Sequence, residues 1–417
     1  MSKMKEYKKR ECCASCESKN LKTILNLNDV PLAGFFPKEE ELDTVSSYPL
    51  ELQMCDDCKL VQTDSVIDPD VLFRDYRYLS SIGLTKHFES VANGLHKKYN
   101  IIDKDILEFG CNDGVLLKPL TDIGANAIGV DPSINVSQIA RDKGLNVITD
   151  YFNYDTFGTD KWKDKFDFIL ANNAFAHIID IKNTAKAVQH CLKDGGRFIF
   201  EVHYLQNLID ELQWDNIYHE HIYYYSVSAL TNMLSKYNIH IVDYELISIH
   251  SGSIRVTARK GEYIINDKIT DIIQKEAETI CNPSYLNEFQ KKVIKHIEDF
   301  KSELKKLKSE GKKIAGYGAS GRANMFCNIC NITKDDVMFI VDESPERCGR
   351  YIANTEIPIV DINRLKEEED VDVLIIFAWN YSKMIIEKTK FKEFNYMVAF
   401  PNINYFKNEN NLKLNTL

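Results

Sequence analysis

Ile106 to Leu117, with the sequence ILEFGCNDGVLL, is the stretch that decides the fold of this chain. An apolar run passes into a loop that carries Gly110 and Gly114, and apolar residues resume after the loop. Glycine lets the backbone turn tightly and lets a ligand approach closely. The stretch therefore predicts a strand, a loop and a helix, with a nucleotide-like ligand bound where the strand ends.

The spacing inside this loop narrows the choice of ligand. Glu108, Gly110 and Gly114 form an E-x-G-x-x-x-G pattern, which differs from the G-x-G-x-x-G pattern of dinucleotide sites. A second apolar run ends in Asp131, whose carboxylate can accept hydrogen bonds from both hydroxyls of a ribose. The combination favours S-adenosylmethionine over NAD, and the alternative is an ordinary turn between a strand and a helix.

Further contacts to this ligand are predicted in the loop and on neighbouring strands. Asn112 lies within the loop, and Phe152 and Asn172 lie at the ends of the next two strands. Adenine and methionine contacts would fall at those strand ends. The four apolar runs of this region alternate with helical stretches, which is typical of a doubly wound α/β sheet; they are DILEFGC, NAIGVD, FDFILAN and GRFIFEV.

Two pairs of cysteines near the amino terminus predict a zinc site. Cys13-x-x-Cys16 is followed by Cys55-x-x-Cys58, so two turns each offer two thiolates. Four cysteine ligands suit tetrahedral zinc and leave no open position, so the metal would be structural. The alternative is four unligated cysteines, and Cys12 is a competing ligand.

A second glycine-rich turn starts another α/β unit with the strands KIAGYG, VMFIVD and VLIIFAW. Gly316, Gly318, Ser320 and Arg322 could hold a phosphate at a helix amino terminus, although a purely structural turn explains them nearly as well. The pair Cys327-x-x-Cys330 has no second pair and is interpreted as buried in a helix.

The predicted architecture is α/β with three domains. Residues 1–75 form a zinc-binding domain, 76–260 a Rossmann-like domain for S-adenosylmethionine, and 261–417 a Rossmann-like α/β domain. A charged helical stretch with apolar residues at three- and four-residue steps begins the last domain.

The totals of the chain of 417 residues exclude several functions. The formal net charge is −10 and there is no long basic run, so a nucleic-acid partner is not expected. No apolar run approaches the roughly 20 residues of a membrane span, and the amino terminus lacks the apolar core of a secretory signal. We expect a cytoplasmic protein without a membrane partner.

The stretch IYHEHIYYYS, Ile217 to Ser226, concentrates titratable groups. A metal site, a proton relay and a polar, partly buried aromatic segment are all compatible with its composition. If the segment is an extended strand, His219 and His221 lie on the same side of it. No third metal ligand is evident nearby in the sequence.

Several of these segments together resemble one family. The chain is similar to S-adenosylmethionine-dependent sugar C-methyltransferases that act on nucleotide-linked keto-sugars. The resemblance covers nearly the whole chain and rests on the segments CASC, YPLELQMCDDCKLVQ, LFRDYRYLSS, EFGCNDG, IYHEHIYYYS, HSGSIRV, GYGASGRANMF, FIVDESPERCGRY and FAWN. It implies a three-domain enzyme whose carboxyl-terminal domain binds the nucleotide-sugar.

The resemblance also implies an active site. Its residues are Tyr218, Glu220 and His221, together with His177 and either Tyr76 or Tyr78. The chain departs from the family pattern in SSIGLTKHF and in HSGS, where a double glycine is common. These departures bear on which substrate is used.

Methylation of a carbon next to a ketone requires removal of an α-proton, and histidine is suited to that step near neutral pH. His221 is the predicted base, with His219 as the alternative. Tyr218 and Tyr76 or Tyr78 would stabilise the enolate oxygen, Glu220 would orient a ring or bind a sugar hydroxyl, and His177 would assist.

The leading hypothesis is methylation of a nucleotide-linked 4-keto-6-deoxy sugar at C3 or C5. An O- or N-methyltransferase is the second hypothesis, and a non-catalytic nucleotide-sugar binding protein is the third. We expect a monomer.

Overall fold

A computed structural model describes residues 7–69, 72, 79–262, 266–368 and 370–407 of the chain. Its strands are β1 Tyr7–Lys9, β2 Leu21–Pro31, β3 Ser47–Cys55, β4 Val61–Thr63, β5 Ser65–Ile67, β6 Asp105–Phe109, β7 Asn126–Val130, β8 Val147–Ile148, β9 Phe166–Asn172, β10 Leu192–His203, β11 Tyr223–Tyr224, β12 Ile239–Ile247, β13 Ser253–Lys260, β14 Ile314–Tyr317, β15 Ile340–Val341, β16 Ile359–Val360, β17 Val373–Ile376, β18 Asn395–Val398 and β19 Asn404–Lys407. Its α-helices are α1 Ser81–Tyr99, α2 Leu117–Ile123, α3 Ile134–Asp142, α4 Tyr154–Phe157, α5 Ile181–Cys191, α6 Leu205–Asp210, α7 Val227–Leu234, α8 Asp267–Glu278, α9 Pro283–Ser309, α10 Gly321–Ile329, α11 Asn363–Glu367 and α12 Ser382–Lys388.

The amino-terminal sheet is antiparallel and takes its last strand from far along the chain. Its strand order is β11-β4-β3-β2, and β11 pairs through Tyr223 with Gln62 and through Tyr224 with Val61. The tyrosine-rich segment predicted as a functional stretch therefore completes the sheet of the zinc-binding region.

The central sheet has seven strands in the order β12-β13-β10-β9-β6-β7-β8. The five strands β10, β9, β6, β7 and β8 pair in parallel. β13 is antiparallel to both of its neighbours, β10 and β12. β6 and β9 are neighbours although β7 and β8 separate them in sequence, so the strand order reverses there. A crevice for a ligand forms at the carboxyl ends of the strands at such a reversal. The predicted doubly wound sheet is confirmed, and β6, β7, β9 and β10 are its four predicted strands.

The strand order of the carboxyl-terminal sheet also reverses at one point. Its order is β16-β15-β14-β17-β18-β19, with every pair parallel except β18 with β19. The order reverses between β14 and β17, which places a second crevice at their carboxyl ends. The predicted second Rossmann-like unit is confirmed, while the exact boundaries at residues 75 and 260 stay predictions.

The amino- and carboxyl-terminal sheets share one hydrophobic core. Leu25 and Leu52 belong to the same buried cluster as Phe326 and Ile375, and Trp214 stacks on Phe326 with ring centroids 5.1 Å apart. Each such side chain that is fully buried contributes about 1.5–3 kcal/mol. The core fixes the amino-terminal sheet against the carboxyl-terminal one.

Helix α9 supports this core along one face. The face predicted from its apolar spacing is buried, and it comprises Leu286, Phe289, Val293, His296, Phe300, Leu304 and Leu307. Cys327 and Cys330 lie in and just after α10 and are both buried, as interpreted from the sequence. Among the residues that the structure describes, no helix is both long and apolar enough to cross a membrane.

Candidate active site and zinc centre

A cavity of about 1100 Å³ lies where the three sheets approach one another. The carboxyl ends of β6 and β9 contribute Gly110 and Asn172, and the carboxyl-terminal sheet contributes Arg322 and Trp379. The segment between α6 and β11 crosses the cavity and carries the histidine and glutamate predicted for catalysis. Both crevices therefore open into one space.

The loop after β6 has the conformation that its glycines predict. Gly110 has φ +69°, and a Cβ placed on it would lie 2.4 Å from the Cβ of Ala174. Asn112 also has positive φ, and its backbone N–H donates to Asp131 over 2.9 Å. The backbone N–H of Ser133 donates to the other oxygen of Asp131 over 2.9 Å. The carboxylate at the end of β7 is thus fixed in the cavity wall.

Some of the predicted cofactor residues line the cavity, and others lie behind its wall. Gly110, Asn112, Asp131, Phe152 and Asn172 line the cavity, and Phe152 stacks on Phe109 with centroids 4.8 Å apart. Gly114 lies behind this wall, where a Cβ would meet the side chain of Leu145 at 2.3 Å.

Glu108 is the second residue behind the wall. Its Oε2 is buried and lacks a hydrogen-bond partner among the described residues. Burial and the nearby Asp131 raise the pKa of Glu108 well above its usual value. Asp131, in contrast, lines the cavity, and its fixed carboxylate suits the ribose hydroxyls of S-adenosylmethionine. The residues present therefore fit S-adenosylmethionine.

The chain turns between Tyr218 and His221 and does not run there as the extended strand considered for His219 and His221. The backbone N–H of His221 donates to the carbonyl of Tyr218 over 3.0 Å, so the chain reverses between them. His219 is fully buried on the other side, where its Nε2 donates to the carbonyl of Pro49 over 3.1 Å. His219 is not among the described residues that line the cavity, so the expectation that it shares a side with His221 is wrong.

His221 has a defined tautomer. Its Nδ1 lies 3.0 Å from the carbonyl of Asn216, and because a carbonyl only accepts, Nδ1 carries the proton. The hydroxyl of Tyr218 donates to Nε2 over 2.8 Å. Burial and nearby His177 lower the pKa of His221 well below the usual value of 6.5. The ring is therefore a neutral base at pH 7 whose basic nitrogen faces a tyrosine hydroxyl.

Glu220 and His177 complete this part of the cavity. The Nδ1 of His177 donates to the carbonyl of Glu220 over 2.5 Å, and the rings of His177 and His221 lie 5.0 Å apart. The Oε1 of Glu220 accepts the backbone N–H of Gly34 over 3.0 Å, whereas its Oε2 lacks a partner among the described residues. Burial raises the pKa of Glu220. Glu220 therefore does not bond His221, and it offers an oxygen to a ligand.

The other tyrosines of this stretch have structural contacts. The hydroxyl of Tyr223 donates to the carbonyl of Ile179 over 2.7 Å, and that of Tyr225 donates to the carbonyl of Phe175 over 3.2 Å. Tyr224 pairs with β4 and donates to the carbonyl of Asn216. These three tyrosines are therefore fully buried and bonded to protein, so the expectation of a partly buried segment is wrong for them.

Two histidines that sequence reasoning did not assign also line the cavity. His203 ends β10, and burial together with the charge of Arg322 lowers its pKa to about 3. His250 has φ +52°, an unusual conformation for a residue other than glycine, and burial lowers its pKa to about 4. The position of His203 directly after a predicted strand was a usable signal, whereas the strained turn at His250 has none in the sequence.

Tyr76 and Tyr78 lie outside the described residues. Arg322 lines the cavity, but its guanidinium group is bonded to Asp215, so it is already engaged by protein. Ser320 caps its helix by accepting the backbone N–H of Ala323 over 3.3 Å.

The four predicted zinc ligands converge. The sulfur atoms of Cys13, Cys16, Cys55 and Cys58 all lie within 4.8 Å of one another. Cys13 lies 3.4 Å from Cys58, and Cys16 lies 3.5 Å from Cys55. A tetrahedron with Zn–S bonds of about 2.3 Å needs sulfur atoms about 3.8 Å apart, so these residues fit zinc.

Three family models match successive parts of the chain. The "Putative zinc binding domain" matches residues 13–73, the "Methyltransferase domain" matches 86–244, and the "C-methyltransferase C-terminal domain" matches 248–401. Together they follow the order of the three sheets.

Characterised relatives agree with these models. The chain is 26% identical over 386 residues to the C-methyltransferase NovU of Streptomyces niveus, covering 91% of this chain and 92% of that protein. A ubiquinone biosynthesis O-methyltransferase of Bradyrhizobium diazoefficiens is 32% identical over 97 residues, which is 22% of this chain and 38% of that protein. The magnesium protoporphyrin IX methyltransferase of Synechocystis PCC 6803 has a TM-score of 0.34 at 17% identity, covering 43% of this chain and 81% of that structure.

Replacing Cys55 and Cys58 by serine together is expected to abolish zinc binding, because two of the four thiolates disappear. The measurement is the metal content of the purified protein by atomic emission. Binding of S-adenosylhomocysteine, measured by calorimetry, should be largely kept because the central sheet does not contain these ligands. Cys348→Ser is the matched control outside the cluster, and full zinc occupancy in the double variant would exclude this ligand set.

Asp131→Asn is expected to weaken S-adenosylmethionine binding roughly 10- to 150-fold, from the loss of about 1.5–3 kcal/mol of charge-assisted hydrogen bonding. Calorimetry measures the effect, with Asp142→Asn as the exposed control on α3. An affinity for Asp131→Asn equal to that of the unchanged protein would contradict the assignment.

Proposed function

This chain belongs to the S-adenosylmethionine-dependent C-methyltransferases with an amino-terminal zinc-binding domain, and we propose that its substrate is a nucleotide-linked 4-keto-6-deoxy sugar methylated at C3 or C5. The observation that carries the proposal is the bonded triple of Asn216, His221 and Tyr218 in the wall of the cavity. A neutral imidazole held in one tautomer is what removal of a proton from carbon requires.

The first step assigns a proton acceptor. The Nε2 of His221 carries the lone pair, because Nδ1 donates to Asn216. The hydroxyl of Tyr218 occupies Nε2 in the described state. When the ketone of the substrate enters, this hydroxyl turns to the ketone oxygen, and Nε2 becomes available to the α-proton.

The second step moves charge onto oxygen. The C–H bond breaks, its proton goes to Nε2 of His221, and its electron pair forms an enolate. Tyr218 donates to the enolate oxygen, as donors in an oxyanion hole do. Tyr76 or Tyr78 is proposed as a second donor from outside the described residues. S-adenosylmethionine, bound by Asp131 and its neighbours, supplies an activated methyl group.

Two further residues are proposed to hold the sugar. Glu220 lines the cavity, and its buried Oε2 lacks a protein partner among the described residues, so it suits a sugar hydroxyl. The ring centroid of His177 lies 5.0 Å from that of His221, so His177 suits a second polar contact to the sugar. The closed zinc centre takes no part in this chemistry, because a site of four cysteines has no open position.

The nucleotide half of the substrate is proposed to lie toward the carboxyl-terminal sheet. Arg347 and Arg350 line the cavity on that side. Guanidinium groups match the charge and geometry of a diphosphate. This placement puts the sugar between the two crevices, next to His221.

His221→Asn is expected to lower the exchange of the substrate α-proton with deuterium oxide by about 10² to 10⁴, the usual contribution of a general base. Asparagine can still donate to the carbonyl of Asn216, so cofactor affinity should be kept. NMR follows exchange into thymidine- and guanosine-linked 4-keto-6-deoxy sugars, with S-adenosylhomocysteine present.

His219→Asn is the matched variant for this experiment, since its ring lies outside the cavity. It should retain most of the exchange. If His219→Asn abolishes exchange and His221→Asn keeps it, the base is assigned wrongly. Methyl transfer to oxygen or nitrogen of the sugar, without carbon exchange, would instead favour the second hypothesis.

The pH dependence of exchange gives a separate expectation. A base acts in its unprotonated form, and burial places the pKa of His221 well below 6.5. The exchange rate should therefore stay flat from about pH 8 to about pH 6.5 and fall only below that range. A half-maximal rate at or above the ordinary histidine pKa would contradict a buried neutral base.

A further inference from the structure

A buried carboxylate joins the catalytic segment to the carboxyl-terminal sheet. Asp215 is 1% exposed and accepts from Nε and Nη2 of Arg322 over 2.9 and 2.7 Å. It also accepts from Nε1 of Trp379 over 2.9 Å. The guanidinium carbon of Arg322 lies 4.6 Å from the ring centroid of Trp379. Three donors thus converge on one carboxylate.

The two residues that supply these three donors, Arg322 and Trp379, lie at the second crevice. Arg322 lies in the first turn of α10, which follows β14, and Trp379 follows β17. β14 and β17 are the strands between which the order of the carboxyl-terminal sheet reverses. A ligand in that crevice would lie against these two side chains, and Arg322 also donates to Asn380 over 3.3 Å in the same cavity wall.

Asp215 directly precedes Asn216, whose carbonyl accepts the hydrogen bond from His221. Asp215 is the middle residue of the 3-10 turn Trp214–Asn216. The carbonyl of Asn216 accepts from Nδ1 of His221 over 3.0 Å. On the other side, the indole of Trp214 donates to Nδ1 of His296 over 3.0 Å. The turn is therefore fixed from both ends, and Arg322 supplies the charged fixation next to Asn216.

We propose that Arg322 and Asp215 are positioning residues, which hold the Asn216 carbonyl against His221 and link a ligand in the second crevice to the tautomer and orientation of the base. The inference rests on the proposed role of His221. In this proposal, the guanidinium group of Arg322 binds the carboxylate of Asp215 and not a phosphate of the ligand. The pair acts through Asn216 and does not touch the reacting atoms.

The first test reads the ring itself and needs no substrate. Nitrogen-15 NMR of the zinc-loaded full-length protein distinguishes the two neutral tautomers of His221, with His221→Asn identifying the signal. The unchanged protein should show Nδ1 protonated. Arg322→Ala and Asp215→Asn should each show a mixture of tautomers. Arg364→Ala removes an exposed arginine that is bonded to Glu368 over 2.8 Å and should leave the signal unchanged.

The second test measures exchange of the α-proton in deuterium oxide, using the 4-keto sugar that the unchanged enzyme exchanges fastest. Arg322→Ala should lower exchange about 100-fold, because a misplaced group of about 1 Å can cost that much. Added guanidinium ion at millimolar concentration should restore part of the rate. The exchange rate of Arg322→Lys should lie between those of the unchanged protein and Arg322→Ala, since lysine keeps the charge and loses the bidentate contact.

Binding of S-adenosylhomocysteine monitors folding in every variant, and Arg322→Lys replaces Arg322→Ala if the latter does not bind it. Unchanged exchange and an unchanged tautomer in the folded variant would overturn the proposal. Reduced exchange with an unchanged tautomer and no rescue would assign a purely structural role and overturn it as well. Full exchange in His221→Asn would instead overturn the base assignment, while the tautomer measurement still reports on the pair.

Discussion

The segment from Gln213 to Tyr225 has to contact three sheets at once, and this constraint organises the molecule. Trp214 enters the core shared with the carboxyl-terminal sheet, and Tyr223 and Tyr224 complete the amino-terminal one. Tyr225 forms a bridge with Tyr204 just beyond β10 of the central sheet. The residues between these anchors have little freedom, so Tyr218, Glu220 and His221 are fixed although they lie in a turn. A catalytic group on a turn can be as well placed as one on a strand when both flanks are fixed by packing.

Local signals in the sequence were sufficient for most of the fold. The apolar runs of β6, β9 and β10 lie in the parallel part of the central sheet, so they are continuous and easy to recognise. The paired spacing of Cys13, Cys16, Cys55 and Cys58 is likewise local within each pair. Gly110 and Asp131 were recognisable because each directly follows a strand.

The parts that the sequence could not predict depend on contacts between distant residues. The H-x-H spacing at His219 and His221 suggested a strand, but the hydrogen bonds from His221 to Tyr218 and Asn216 favour a turn. The pairing of Asp215 with Arg322 joins two domains, and neither residue has a local signature for it. His250 is likewise placed by a strained turn whose conformation a composition-based argument does not reveal.

The origin of β11 also bears on how the chain becomes folded during synthesis. β4 pairs with β3 early, but it finds its second partner only after the whole first part of the central region has been made, because Tyr223 and Tyr224 come much later than Val61 and Gln62. Until then, β4 is an unpaired sheet edge, and such edges invite pairing with other chains. The contacts of Asn324 with the carbonyls of Leu32 and Ala33 close even later. A nascent chain therefore carries an incomplete amino-terminal sheet until residues far along the sequence have been made, and its open β4 edge is exposed during that time.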